Sequence, residues 1–196
     1  KVIPYGIDLA AYRAAPAYPV LQPHSNHPKA VKALFVGRLV YYKGVTVLLK
    51  AMQQVQNCEL FLIGSGKLQD TLQQMAEGMD TVHFLGSLSD ADLRAALQEC
   101  NFLVLPSVAN SEAFGLVQLE AMVYGKPVIN TALPTGVPHV SLDGETGLTV
   151  PPESETALAK AMQTLVSDAD LRSRYGAAAK KRVETVFAED VVMQQV

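Results

Sequence analysis

Two carboxylates, Glu112 and Glu120, stand eight residues apart in Ser111-Glu112-Ala113-Phe114-Gly115-Leu116-Val117-Gln118-Leu119-Glu120-Ala121-Met122. The apolar run before them, Asn101 to Ser107, has strand length. Gly125-Lys126-Pro127-Val128-Ile129 after them reads as a helix stop followed by another strand. Glu112 is therefore expected in a strand-to-helix loop, and Glu120 about a turn and a half into the helix. The helix start between them offers backbone N–H groups without intrahelical partners and the positive end of a dipole, which suits an anion. A second pair, Arg38 and Lys43, lies five residues apart in Gly37-Arg38-Leu39-Val40-Tyr41-Tyr42-Lys43-Gly44, directly after another apolar run. A diphosphate needs two or more converging cationic donors, and Arg with Lys supplies them. Alone, either cation reads as ordinary surface charge; together with both acids on one rim they would form a site for a sugar phosphate or nucleotide.

The elements that must bring these residues together follow from periodicity. Strands are expected at Lys32 to Gly37, Glu59 to Gly64, Val82 to Gly86, Pro127 to Asn130 and Leu148 to Val150. Between them lie helices at Val45 to Met52, Leu68 to Glu77 (apolar face Leu68, Leu72, Met75, Ala76) and from a Ser89 cap to Glu99. From Glu153 the chain reads as helical, with breaks near Ser167-Asp168 and Phe187. This alternation predicts an α/β domain with a Rossmann-like parallel sheet flanked by helices. In such sheets ligands sit beyond the carboxyl ends of the strands. That rule gathers the loops at Gly37-Arg38, Gly64-Ser65-Gly66, Gly86-Ser87 and Ser107 to Phe114 on one rim. The proline-rich, polar stretch from Ala10 to Lys29 reads as a long surface connection.

At 196 residues, 49% hydrophobic and 18% charged, the chain can bury one α/β core. A net charge of -3 gives no basic excess to neutralise a nucleic-acid backbone, so nucleic acid is not expected as a partner. Cys58 and Cys100 are far apart and read as buried thiols. No apolar run reaches membrane-span length, and no signal peptide is visible. Gly64-Ser65-Gly66 begins like a dinucleotide fingerprint, but Gln69 occupies the third glycine position, so a tight turn with close backbone approach is expected. Asp90-Ala91-Asp92 and Asp168-Ala169-Asp170 each follow a serine and read as helix starts, not metal ligands. The repeated Ser-Asp-Ala-Asp-Leu-Arg is reuse of that start signal. His24 and His27 are expected to be solvated, His83 structural, and His139 a weak candidate on the ligand rim. No histidine cluster, nucleophile elbow or Gly-Lys-Ser/Thr phosphate loop is present, and no metal site is expected.

Three signatures stand in order: Gly37-Arg38 to Lys43-Gly44, Glu112 to Glu120 with Phe114-Gly115-Leu116-Val117 inside, and Gly125 to Ile129 followed by Gly144-Glu145-Thr146-Gly147. Together they resemble the C-terminal, donor-binding domain of the retaining group 1 (family 4) glycosyltransferases of GT-B fold. The likeness runs from Val2-Ile3-Pro4-Tyr5-Gly6-Ile7-Asp8, which is similar to the crossover from an N-terminal domain, to the final helix. The resemblance implies a single nucleotide-sugar-binding domain over 1–196, with 1–31 as crossover, 32–186 as α/β core and 187–196 as the start of a terminal helix. It implies that Arg38 and Lys43 hold the diphosphate and stabilise the leaving group, and that Glu112 contacts the donor sugar. Gly37 and backbone from Phe114, Gly115, Leu116 and Val117 would line the sugar and phosphate, Glu120 would accept from the ribose, and Leu88 would border the base.

The resemblance further implies a nucleotide diphosphate sugar as substrate, with no cofactor and no metal. It implies a glycan or lipid-linked acceptor and a setting in cytoplasmic polysaccharide biosynthesis, with room for peripheral association at the inner membrane face. The N-terminal domain would be the chain's own missing partner, so this piece is expected to bind donor weakly and transfer nothing alone. His139 departs from the family, where an acid is common in that context. Alternatives are a phosphorylase or epimerase relative, an NAD-binding or regulatory nucleotide module, and a degenerate, non-catalytic copy.

Overall fold

The protein's structure, a computed structural model, describes residues 6–13 and 18–194, Arg13 through its backbone alone. Residues 1–5 and 14–17 of the expected crossover, and the last two residues of the expected terminal helix, lie outside the described residues. Six strands form one parallel sheet: β1 Val31–Val36, β2 Cys58–Ile63, β3 Val82–Gly86, β4 Phe102–Val104, β5 Val128–Thr131 and β6 Gly147–Val150, in the order β3-β2-β1-β4-β5-β6. The helices are α1 Leu9–Arg13, α2 Val45–Met52, α3 Gln69–Met75, α4 Asp90–Glu99, α5 Val117–Val123, α6 Val137–Val140, α7 Glu155–Ser167, α8 Ala169–Arg182 and α9 Glu189–Met193.

Successive strand residues face opposite layers, and both layers are apolar. Ala33, Phe35, Leu60, Leu62, Phe102 and Val104 pack with α2, α3 and α7. Leu34, Phe61, Ile63, Leu103 and Val128 pack against α4, α5 and α8. A sheet covered on both faces needs continuous rather than alternating hydrophobic strands, and β2 is buried at all six positions. The fold is the expected Rossmann-like α/β arrangement. Among the described residues no helix is long and apolar enough to cross a membrane.

Several expectations are corrected in detail. The run from Asn101 to Ser107 forms only a three-residue strand, because Pro106 has no N–H for the ladder; the last ladder-type bond is Leu105 N–H to the Ile129 carbonyl, 2.8 Å. The segment after β5, 133–138, for which no helix is expected above, runs into α6 at Val137. The repeated start signal caps in two registers: Ser89 accepts from the Asp92 N–H at α4, whereas Asp168, one place later in the motif, accepts from the Leu171 N–H at α8.

The stretch from Ala10 to Lys29 is more than a surface connection. Leu21 is fully buried in the α4–α5–α8 layer. The Glu99 carboxylate accepts from the backbone N–H groups of Val20, Leu21 and Gln22, each at 2.7 Å, and from Lys32 Nζ at 2.8 Å. Glu59, fully buried in β2, accepts from Ser25 Oγ at 2.5 Å and from the N–H groups of Asn26 and His27, and it pairs with His83 at 2.9 Å. Burial alone would raise both carboxyls, but these donors hold them below the ordinary carboxylate range. Ile7 joins the other end of the chain: its N–H donates to the Phe187 carbonyl at 2.8 Å, and its carbonyl accepts from the Glu189 N–H at 3.1 Å.

Candidate functional site

The strand order reverses direction between β1 and β4, which makes the crevice at their carboxyl ends the topological switch point. Lys43 lies in a 3-10 turn, Tyr41–Lys43, shortly after β1, and Glu112 lies in the loop after β4. The two loops are stitched by the Val108 N–H donating to the Tyr42 carbonyl at 2.8 Å. Gly44 sits at the crossing with φ +68°, and a Cβ there would stand 2.0 Å from the Pro106 carbonyl oxygen. Only glycine permits that contact, so the residue type sets how near Lys43 comes to the β4 loop.

Lys43 Nζ meets Glu112 Oε2 at 2.5 Å, with side-chain exposures of 12% and 9%. Acid and cation are in direct contact. An ammonium has three donor hydrogens, so this pairing leaves Lys43 able to reach a further anion. Arg38 is exposed beside them; its Nη2 donates to the Tyr42 hydroxyl at 2.9 Å and its guanidinium lies 5.9 Å from that ring's centroid. Tyr42 is half-buried and also faces Lys43 Nζ, while Tyr41 is 69% exposed.

Glu120 lies in the first turn of α5, on the flank facing α4 and α1. Its Oε1 accepts from the Tyr12 hydroxyl at 3.0 Å. A pocket of about 170 Å³ opens there, lined by Tyr12, Asp90, Leu93, Arg94, Leu97 and Glu120. Burial raises the Glu120 carboxyl; the Tyr12 bond opposes the shift, nearby Asp90 adds to it and Arg94 offsets it. Burial and the Glu120 charge raise the Tyr12 phenol, which keeps it a donor. Between the acids, Gly115 (φ +71°) turns the chain into α5 and Leu116 is half-exposed. Among the described residues the N–H groups of Gly115, Leu116 and Val117 meet no acceptor. Phe114 packs edge-on to Phe187.

The remaining rim loops lie where the strand rule put them. Gly37 follows β1, and its carbonyl oxygen stands 2.0 Å from where a Cβ on Gly64 would lie, so the Gly64-Ser65-Gly66 turn is built for close backbone approach. Ser65 Oγ meets Ser87 Oγ at 3.2 Å, and Leu88, partly buried, leads into α4. His139 is in α6, edge-on to Phe187, with its carbonyl accepting from Arg182; the structure does not bring it to the Lys43–Glu112 pair as a hydrogen-bond partner. Burial pushes the thiols of Cys58 and Cys100 up to about 12. Among the described residues no group of three or more His, Cys, Asp or Glu is placed to hold a metal ion.

Sequence reasoning missed the buried polar residues behind the rim. Ser107, fully buried, donates to Glu112 Oε2 at 2.9 Å. Gln118 Nε2 donates to the Phe114 and Val137 carbonyls, and Asn130 Nδ2 donates to Gln118 Oε1 at 2.9 Å. Thr149 completes the chain by donating to Asn130 Oδ1 at 2.7 Å. The available signal was a polar residue inside an otherwise apolar element, as at Asn130 within β5.

A family model described as glycosyl transferases group 1 matches residues 21–182. The chain belongs to the group 1 glycosyltransferases. Within that family it is 38% identical over 189 residues to the D-rhamnosyltransferase WbpZ of Pseudomonas aeruginosa, covering 95% of this chain and 49% of that protein. It is 34% identical over 159 residues to the O-antigen chain mannosyltransferase C of Escherichia coli, covering 80% and 43%. The chain thus spans about half the length of the curated relatives it matches. A solved sucrose-phosphate synthase from Thermosynechococcus elongatus superposes with a TM-score of 0.81 at 31% identity, over 100% of this chain and 50% of that one. Anabaena HepE in complex with UDP superposes with a TM-score of 0.87 at 24% identity, over 100% and 55%, a likeness of fold. The group 1 chain therefore has the Rossmann-like half-fold of the GT-B glycosyltransferases.

Proposed function

We propose that this chain is the C-terminal, donor-binding half of a retaining glycosyltransferase that moves a hexosyl or deoxyhexosyl group from a nucleoside diphosphate sugar to a glycan or lipid-linked acceptor. The observation that carries the reading is the Lys43–Glu112 pair at the switch point, with Arg38 beside it and Glu120 farther along the same rim. Lys43 and Arg38 hold the diphosphate. As the glycosidic bond breaks, negative charge grows on that diphosphate, so fixed cations there act where charge develops and lower the barrier. The cations take the place of a metal in this scheme. Glu112 accepts from a sugar hydroxyl, Glu120 from the ribose, and the N–H groups of the 114–117 turn line the phosphate side. Leu88 borders the base and Gly37 the sugar.

The names of the relatives, a rhamnosyltransferase and an O-antigen mannosyltransferase, favour a surface polysaccharide as product. The work is assigned to the cytoplasm, with peripheral contact at the membrane face. A facing N-terminal domain delivers the acceptor to the donor face on which the leaving group departs, which retains configuration, so this half alone binds donor and transfers nothing. An NAD-binding or regulatory module is the weaker reading, since Gln69 interrupts the dinucleotide fingerprint.

Calorimetric titration with UDP, GDP, ADP and NAD tests the reading. One nucleoside diphosphate is expected to bind better than NAD, and transfer by the two-domain protein is expected to survive EDTA. NAD outcompeting every nucleoside diphosphate would overturn it.

A further inference from the structure

Glu112 has two carboxylate oxygens, and the fold treats them unequally. Oε2 accepts from Lys43 Nζ at 2.5 Å and from Ser107 Oγ at 2.9 Å. Among the described residues no donor reaches Oε1. Ser107 itself cannot wander: it is fully buried, it follows Pro106 at the end of the β4 run, and its carbonyl accepts from Thr131 Oγ1 of β5 at 2.6 Å. The serine hydroxyl therefore approaches the carboxylate from the protein side, anchored to both β4 and β5.

The terminal torsion of a glutamate is broad, so a carboxylate held by a single flexible ammonium can swing its plane. A second donor from a rigid loop, aimed at the same oxygen, selects one orientation and leaves the other oxygen's lone pairs for an incoming hydroxyl. It has a further effect if Lys43 turns toward a diphosphate. The carboxylate then keeps one short-range donor and is not left as an unpartnered buried charge.

We infer that Ser107 is a positioning residue for Glu112: it fixes Oε2 so that Oε1 is the atom offered to the donor sugar, and it keeps that orientation when Lys43 engages the diphosphate. The inference rests on the donor-site reading of the preceding subsection.

The test uses the full-length protein with UDP-glucose and GDP-mannose as probe donors. It measures steady-state release of nucleoside diphosphate, calorimetric affinity for free UDP, GDP and ADP, and the thermal midpoint of each variant. Ser107→Ala is expected to lower kcat by about tenfold or more, the scale of a misplaced catalytic contact. KM for the sugar nucleotide and the Kd of the free nucleoside diphosphate should stay within about threefold, because the diphosphate contacts are untouched. Ser107→Thr, which keeps the hydroxyl, should recover most of the lost kcat. An unchanged kcat in Ser107→Ala overturns the inference. So does an equal loss in the Ala and Thr variants with both still folded, or a matching loss of free nucleoside diphosphate binding, since either marks a packing role. A wild-type protein that binds none of UDP, GDP and ADP instead overturns the donor-site reading, and the inference with it.

Discussion

The Lys43–Glu112 contact joins two charges that are almost wholly withdrawn from water. Such a pair gains little over a matched apolar pair, but losing one member leaves the other without its counter-charge, which for Glu112 the Ser107 hydroxyl offsets only in part. Lys43→Met is therefore expected to destabilise the fold by about 3–5 kcal/mol in urea denaturation, while Lys43→Met combined with Glu112→Gln recovers much of that loss. Additive losses in the two single variants would show that the charges are not coupled. Glu120 presents the opposite case. Its carboxyl is raised mainly by burial, so its ionised form opposes folding at any pH above the raised value. The cost shrinks as the pH falls through that value and is gone below the unfolded carboxyl value of about 4.3. Glu120→Gln should thus raise the thermal midpoint at neutral pH, with the gain fading toward pH about 4. The same substitution should weaken nucleoside diphosphate binding if Glu120 accepts from the ribose. A midpoint unchanged at every pH would contradict the burial argument.

At the scale of elements, the crossing of the β1 and β4 loops decides whether the site assembles. Gly44 needs a positive φ and also room for the Pro106 carbonyl, whereas Gly78 has a positive φ with nothing within 4 Å of its absent Cβ. Gly78→Ala should cost about 1 kcal/mol, the conformational penalty alone. Gly44→Ala must also push backbone from backbone, so its loss in chemical denaturation should be well beyond that, and Lys43 should part from Glu112. Comparable losses would mean that the close approach is not what holds the loops. Much of this element-level description is legible in the residues: the Ser89 cap, the apolar strands and the rim glycines all act through neighbours within a few positions. The shift of the second cap to Asp168 is not, because both Ser167 and Asp168 satisfy the local rule and the end of α7, which runs through Ser167, selects between them.

For the whole molecule, the strand order β3-β2-β1-β4-β5-β6 places the reversal between β1 and β4, and the four chemistry-bearing residues flank it. The chain's early segment is bound into this body through Leu21 and Glu99, and Ile7 ties to the tail at Phe187 and Glu189. A ligand that binds only the folded form should stabilise the molecule as a unit. Under the proposed function, UDP or GDP at about a hundredfold over its Kd should add about 2.7 kcal/mol, read as a higher thermal midpoint. Raised salt should reduce that gain, since two cations carry the contact. No shift with any nucleoside diphosphate would count against the donor site.

The sequence by itself determined the alternation of strands and helices, the rim that carries Arg38, Lys43, Glu112 and Glu120, and the likeness to the glycosyltransferases, because periodicity, caps and motif spacing are local properties of the chain. Only the tertiary structure decided that Lys43 touches Glu112, that Ser107 and Lys43 share one carboxylate oxygen, and that Tyr12 reaches Glu120. The partners in the first and last of these contacts are 69 and 108 residues apart in the chain. Ser107 is only five residues from Glu112, yet it meets Lys43 on that oxygen only because β1 lies beside β4. That adjacency follows from which strand neighbours which in the sheet, a choice made by burying both faces at once and written in no single segment.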